Sequence, residues 1–346
     1  MNSNNSYLKV LPGAVLVLMV AIVARYAHFM IQINGTNPVS DVIIAILIGI
    51  GLRSFIGVPS NLQAGIEFSM KKVLKLAIIL LGLGLNISAA IATGGRALMI
   101  IIVCVIIALV LMHRIGKLLG LSEKLSVLIG VGTSICGTTA IVAVAPAIKS
   151  EDTDVAYSVA TITLFGVLAI FAYPVIGALL KMSDMQFGTW AGTAINETAQ
   201  VVAAGFAYSE EAGKIATVVK LTRTVLLAPL VVILGYFFAR KDVSTGRERV
   251  NLKAIFPWFV LGFFAMALAR TFGDNLFGTW PLWDTALAYV SISAKFLIVM
   301  AMVGVGLMSD FTKMRSVGLK PFIGGFVAAL IMGVLSITLI YILQIG

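Results

Sequence analysis

The chain has 346 residues, of which 60% are hydrophobic and only 12% are charged, and its mean hydropathy is +1.06. A soluble domain carries roughly 45–50% apolar and 25% charged residues, so lipid is the solvent for most of this chain and no soluble module remains. The net charge of +10 forms no stripe interleaved with exposed aromatics, as nucleic-acid binding would need; Lys and Arg lie mainly at the ends of apolar runs, where they set topology.

The polar start, Met1 to Lys9, has little positive charge and no small-residue cleavage site after it, so the first apolar stretch reads as a retained helix. Runs of about 20 apolar residues, enough to cross a bilayer, then recur along one membrane domain. They predict an all-α polytopic fold of about eleven transmembrane helices: Leu11–Ile31, Val39–Ile56, Val73–Thr93, Ala97–Met112, Leu125–Ile148, Val155–Leu180, Phe187–Tyr208, Ala212–Phe238, Ala254–Ala269, Ala286–Met308 and Phe322–Ile345. With every run a full crossing, one side collects Arg53, Lys71, Lys72 and Lys75, then His113, Arg114, Lys117 and Lys124, then Arg240, Lys241, Arg247, Arg249 and Lys253, then Lys313, Arg315 and Lys320. The other side collects Glu151, Asp152, Asp154, Glu210, Glu211, Asp274 and Asp284. The basic side is the cytoplasm, which puts the N-terminus inside and the C-terminus outside.

Two short matches suggest internal repeats. Gly132 to Pro146 written over Gly192 to Phe206 gives six identities in fifteen positions, and Leu81-Gly-Leu-Gly-Leu-Asn86 resembles Val303-Gly-Val-Gly-Leu-Met308. The second pair links the third and tenth spans, which run antiparallel, as inverted repeats of secondary transporters do. The first links the fifth and seventh spans, which come out parallel; either one segment doubles back as a re-entrant hairpin or the match is convergence. The division expected is a peripheral first helix over 1–38, a first repeat over 39–181 and a second over 182–346.

Inside the fifth span, Gly130, Gly132, Thr133, Ser134, Gly137, Thr138 and Thr139 interrupt an apolar helix that continues to Pro146. Glycine and hydroxyl residues destabilise helix interiors, so the run predicts unwinding, and unwound backbone at membrane depth needs protein or a wet cavity around it. Freed N–H groups at the start of a second half-helix would suit an anion. Small residues for close helix packing are the plainer explanation, but the seventh span repeats the pattern with Thr193, Asn196, Glu197, Thr198 and Gln200.

Glu197 is the sharpest residue, because a mid-membrane carboxylate is costly unless paired, hydrated or protonated. Candidate cations are Lys220 and Arg223, roughly 13 and 18 Å along the eighth span at helical rise and three residues apart on one face; Lys295 in the tenth span is a third. Snorkelling to the interface is the plainer role for each. More cations than carboxylates favours an anionic substrate. Glu197 could then carry a proton, or bind Na⁺ beside Asn196 and backbone carbonyls. Cys104 and Cys136 form no Cys-x-x-Cys pair, and His28 and His113 are isolated, so neither a disulfide framework nor a metal site is expected.

Through Leu81-Gly-Leu-Gly-Leu-Asn86, Ser134-Ile-Cys-Gly137 with Ala145-Pro-Ala-Ile-Lys149, Trp190-Ala-Gly-Thr-Ala-Ile195, the stretch from Gln200 to Tyr208, the stretch from Glu211 to Arg223, and Ala294-Lys-Phe-Leu297 onward to Gly306, the chain resembles the sulfate exporter (YeiH-type) family of bacterial inner-membrane proteins. This resemblance implies the superfold of cation:proton antiporters and bile-acid:sodium symporters, with a panel domain, a core domain and two crossed discontinuous helices. One departure is that Asn196-Glu197 stands where the family more often has His-Asp, which keeps an acid and loses an imidazole.

The expectation is therefore an ion-coupled secondary transporter, not an enzyme, of a small inorganic or organic anion of sulfate, sulfur-oxyanion or sulfonate type. Thr133, Ser134, Cys136, Gly137, Thr138 and Thr139 would bind the anion from one side and Thr193, Asn196, Thr198 and Gln200 from the other. Lys220 and Arg223 would supply counter-charge, and Glu197 with Asn196 would couple to H⁺ or Na⁺, with no cofactor. Partners are the lipid bilayer and a second copy in a homodimer, not nucleic acid. The alternatives are a Na⁺/H⁺-type antiporter on the same fold, and a channel or sensor.

Overall fold

The computed structural model describes residues 4–31, 40–84, 87–241, 258–277, 280–309 and 319–345. Among these residues every regular element is helical. The elements are α1 (Asn4–Met30), α2 (Asp41–Phe55), α3 (Ser60–Phe68), α4 (Leu74–Leu81), α5 (Ile87–Leu119), α6 (Glu123–Ser134), α7 (Thr138–Val144), α8 (Asp152–Leu179), α9 (Asp184–Ala194), α10 (Thr198–Tyr208), α11 (Glu210–Val225), α12 (Leu227–Lys241), α13 (Trp258–Phe277), α14 (Pro281–Met308) and α15 (Leu319–Ile342). A π turn, Ser69–Val73, joins α3 to α4, and a 3₁₀ turn, Gly82–Gly84, follows α4.

Six described segments are long and apolar enough to cross a bilayer: Lys9–Met30, Ile91–Leu119, Thr153–Leu179, Glu210–Phe238, Pro281–Met308 and Leu319–Ile342. The other spans expected from hydropathy fall on shorter or interrupted helices, namely α2, α4 with the start of α5, the pair α6 and α7, the pair α9 and α10, and α13.

Two boundaries differ from expectation. A connection was expected at Gly94-Gly95-Arg96, yet α5 runs straight through it. Gly94 is buried against α11, where an added Cβ would lie 2.7 Å from Thr222 Oγ1, so this glycine serves close packing rather than a turn. Lys71 and Lys72, expected in a connection, sit instead on the π turn inside a helical run that begins at Ser60. Val39, Leu85, Asn86, Arg247, Arg249, Lys253, Lys313 and Arg315 lie outside the described residues.

The chain divides into two compact units, residues 1–91 with 259–311 and residues 92–258 with 312–346. In the first, helices approach through glycine: a Cβ on Gly13 would lie 2.0 Å from Leu62 O, joining α1 to α3, and one on Gly306 would lie 2.4 Å from Ile46 O, joining α14 to α2. Such backbone contact replaces the hydrophobic drive that lipid removes between helices. In the second unit α11 is sealed on both flanks. Gly188 and Gly192 of α9 back onto Ile215 and Val219, and Gly205 of α10 meets Gly213. That sealing holds α11 against the ends of α9 and α10, where the polar residues gather.

Candidate functional site

Helix α6 starts on a Ser122 cap, whose Oγ accepts from Leu125 N at 3.0 Å, and stops at Ser134, within the polar interruption from Gly130 to Thr139. Three residues, Ile135 to Gly137, separate it from α7. Gly137 makes the turn with φ 64° and ψ −134°, a region that side chains exclude. Helix α9 starts on a Ser183–Gln186 capping box and stops at Ala194. In its connection Ile195 and Glu197 have extended backbone and the chain bends at Asn196, and α10 begins at Thr198.

Each stop leaves helix C-terminal carbonyls without their own partners, at the negative end of a helix dipole. Lys220 and Arg223 of α11 supply what is missing. Lys220 Nζ donates to Ile135 O at 2.9 Å, to Ile195 O at 3.1 Å and to Asn196 O. Arg223 donates through Nε to Ile135 O, through Nη1 to Thr193 O, and through Nη2 to Ile195 O at 2.7 Å and Asn196 O at 3.2 Å. Both side chains are fully buried. Their charge is thereby placed on carbonyl oxygens from the ends of both α6 and α9, as a buried cation must be paired or hydrogen-bonded.

The carboxylate takes the opposite ends. Glu197, half-buried, is the N-cap of α10, and its N–H donates to Gln200 Oε1 at 3.1 Å. Its Oε1 accepts from Thr138 Oγ1 at the start of α7, and from Thr163 Oγ1 of α8 at 3.4 Å. A Cβ on Gly137 would lie 2.4 Å from Glu197 Cγ, so the two connections abut at a residue that has no side chain. The N-terminal ends of α7 and α10 therefore share one carboxylate, where a negative charge is favoured.

The other residues singled out in sequence divide by what their side chains do. Thr133 Oγ1 donates to Ile129 O at 2.8 Å and Thr193 Oγ1 to Thr189 O at 2.7 Å, within their own helices, and Thr193 also bonds Ser336 of α15. Asn196 Nδ2 donates to Ile162 O at 3.2 Å, and Gln200 Nε2 to Thr163 O at 3.3 Å, which fixes both amides to α8. Ser134 Oγ and Asn196 Oδ1 are buried without a hydrogen-bond partner among the described residues. Cys136 is buried, Thr138 and Thr198 are half-buried, and Thr139 is exposed. Lys295 is half-buried in α14 and belongs to the first unit.

Sequence reasoning missed Thr161, Ile162, Thr163 and Ser336. Thr161 Oγ1 is a further buried hydroxyl without a partner among the described residues. A threonine in an apolar helix gives little signal, because its hydroxyl can bond the carbonyl one turn back at small cost.

The profile of the family described as "Conserved hypothetical protein 698" matches residues 12–325. Three relatives are each named UPF0324 membrane protein. That of Clostridium tetani is 33% identical, covering 92% of this chain and 94% of the relative. That of Agrobacterium fabrum is 35% identical, covering 96% and 93%. That of Streptococcus pneumoniae is 36% identical, covering 90% and 91%. No solved structure matches the chain.

Proposed function

The chain belongs to the conserved hypothetical protein 698 family of bacterial UPF0324 membrane proteins, and from that premise we propose that it is an ion-coupled secondary transporter of a small anion. The cargo class is sulfate, another sulfur oxyanion or a sulfonate, and the direction is export. The observation that carries the reading is the half-buried Glu197 carboxylate, at the N-cap of α10 and held by the Thr138 hydroxyl at the start of α7 and the Thr163 hydroxyl of α8. A carboxylate kept between bilayer-length helices is a group that can take up and release an ion as its surroundings change.

In this reading α6 with α7 and α9 with α10 are discontinuous helices from two repeats, completing about eleven spans and an architecture of panel and core. Alternating access moves the pair past the membrane midplane. Two buried cations against one carboxylate leave a positive excess for an anion to balance. In this reading the N-terminus lies in the cytoplasm of the inner membrane and the C-terminus outside, which the sequence distribution of basic residues supports, and a homodimer is the assembly expected. In proteoliposomes Glu197→Gln should abolish the dependence of anion flux on an H⁺ or Na⁺ gradient; unchanged flux and unchanged gradient dependence would sink the proposal.

A second reading, a Na⁺/H⁺-type antiporter with the same coupling residue, has its own support. All three Nζ donors of Lys220 are already held by carbonyls, leaving none for a cargo anion. Proton-driven Na⁺ flux in vesicles free of every candidate anion would favour it.

A further inference from the structure

The acceptors around Lys220 form a cage of backbone oxygens. Ile135 O lies 2.9 Å from Nζ, Ile195 O lies 3.1 Å away, and Asn196 O completes the set. No side-chain oxygen takes part in these three bonds. An ammonium has three donors and no acceptor, so the cage matches the protonated amine donor for acceptor. Rings of backbone carbonyls are also how proteins replace the hydration shell of an alkali cation.

We propose that this cage is a monovalent-cation site whose resident ion is the chain's own Lys220 ammonium, a tethered cation that ties the end of α6 to the end of α9. The ligand class follows from the donor set. Divalent ions of the hard type take several carboxylate oxygens, whereas these ligands are neutral. Each of the three carbonyls is shared with the Arg223 guanidinium as well, and that neighbouring charge repels a second positive charge more than a first. A carbonyl has two lone pairs, so it can serve both cations at once.

Removing the tether should expose the cage to a free ion. Lys220→Ala opens the space, while Lys220→Met fills it with an apolar end that cannot be displaced cheaply. Thermal unfolding of the purified protein in NaCl, KCl, methylammonium chloride and choline chloride at equal ionic strength separates specific binding from screening. A ligand that binds only the folded state stabilises by RT ln(1 + [L]/Kd). The expected result is a saturable rise of several degrees in the melting temperature of Lys220→Ala in at least one of the three small-cation salts over choline. Wild type and Lys220→Met should show a smaller rise or none. If Lys220→Ala folds only with a small cation present, recovery of monodisperse protein in that salt and not in choline is the same result. The proposal is overturned if Lys220→Ala responds to small cations no more than wild type does, or if none of the salts yields folded protein. None of these readouts requires transport, so they fail or succeed independently of the assigned function.

Discussion

The two connections in the second unit, Ile135 to Gly137 and Ile195 to Glu197, are kin in sequence and unlike in chemistry. Six identities in fifteen positions relate their surroundings, yet the alignment sets Gly137 opposite Glu197, and those two residues meet in space. The first connection is neutral and turns on a positive φ; the second has extended backbone at Ile195 and Glu197 and carries the acid. One supplies the vacancy and the other supplies what fills it. Similar sequence here encodes complementary surfaces rather than copies of one surface.

Arg223 is the strongest test of that complementarity, since it bonds Ile135 O on one side and Thr193, Ile195 and Asn196 carbonyls on the other. Arg223→Ala takes the side-chain donor from Thr193 O, at about 1–3 kcal/mol for an acceptor left bare, and leaves the Ile135, Ile195 and Asn196 carbonyls to Lys220 alone. The largest loss of stability among these variants is expected, read as a lower melting temperature and loss of monodisperse protein. Arg223→Lys should recover only part of it, because one ammonium cannot reproduce the planar fork. A stable Arg223→Ala would mean that Lys220 alone is enough to hold the two connections to α11.

Gly137→Ala comes next. Its backbone region costs a side chain about 1–3 kcal/mol, and the new Cβ would push against Glu197 Cγ at 2.4 Å. Both stability and gradient-driven flux should fall. If stability fell while flux persisted, the contact between the connections would be structural only.

How much of this was legible beforehand depends on the kind of signal. Glu197, Lys220 and Arg223 stand out because charge inside apolar sequence is rare, and the Gly, Thr and Ser runs stand out because they oppose helix. What the cations bind was not legible. Ile135 is 85 residues from Lys220 and 88 from Arg223, and a backbone carbonyl has no residue type to betray it. Gly94 misled because a packing glycine and a turn glycine look the same in sequence. Thr133 and Thr193 read in sequence as hydroxyls facing a ligand; in the structure Thr133 bonds a carbonyl of its own helix, and Thr193 bonds one of its own and Ser336 of α15.

Glu197→Gln separates stability from coupling. Glutamine keeps an oxygen for Thr138 and Thr163 to donate to, so the melting temperature should move little, a change of about 1 kcal/mol or less being typical where a hydrogen bond is retained in weaker form. Unfolding of the variant in detergent would show instead that the charge on Glu197, at the N-terminal ends of α7 and α10, is a structural requirement.

The two hydroxyls on that carboxylate are unequal, and the smallest effect expected falls on Thr163. Thr138 belongs to the first connection's helix and bonds Glu197 closely, while Thr163 belongs to α8 and lies at 3.4 Å, beyond the usual range for an O–H donor. Valine replaces threonine with nearly the same shape and no donor, so each substitution isolates one bond. Thr138→Val should cost about 1.5–3 kcal/mol, the range for a hydrogen bond to a charged group. Thr163→Val should cost under ~1 kcal/mol, since bonds weaken with length. The order of the two melting temperatures is the measurement. If Thr163→Val proved the more damaging, α8 and not α7 would be what positions the carboxylate, and the pairing of Gly137 with Glu197 would be proximity without partnership.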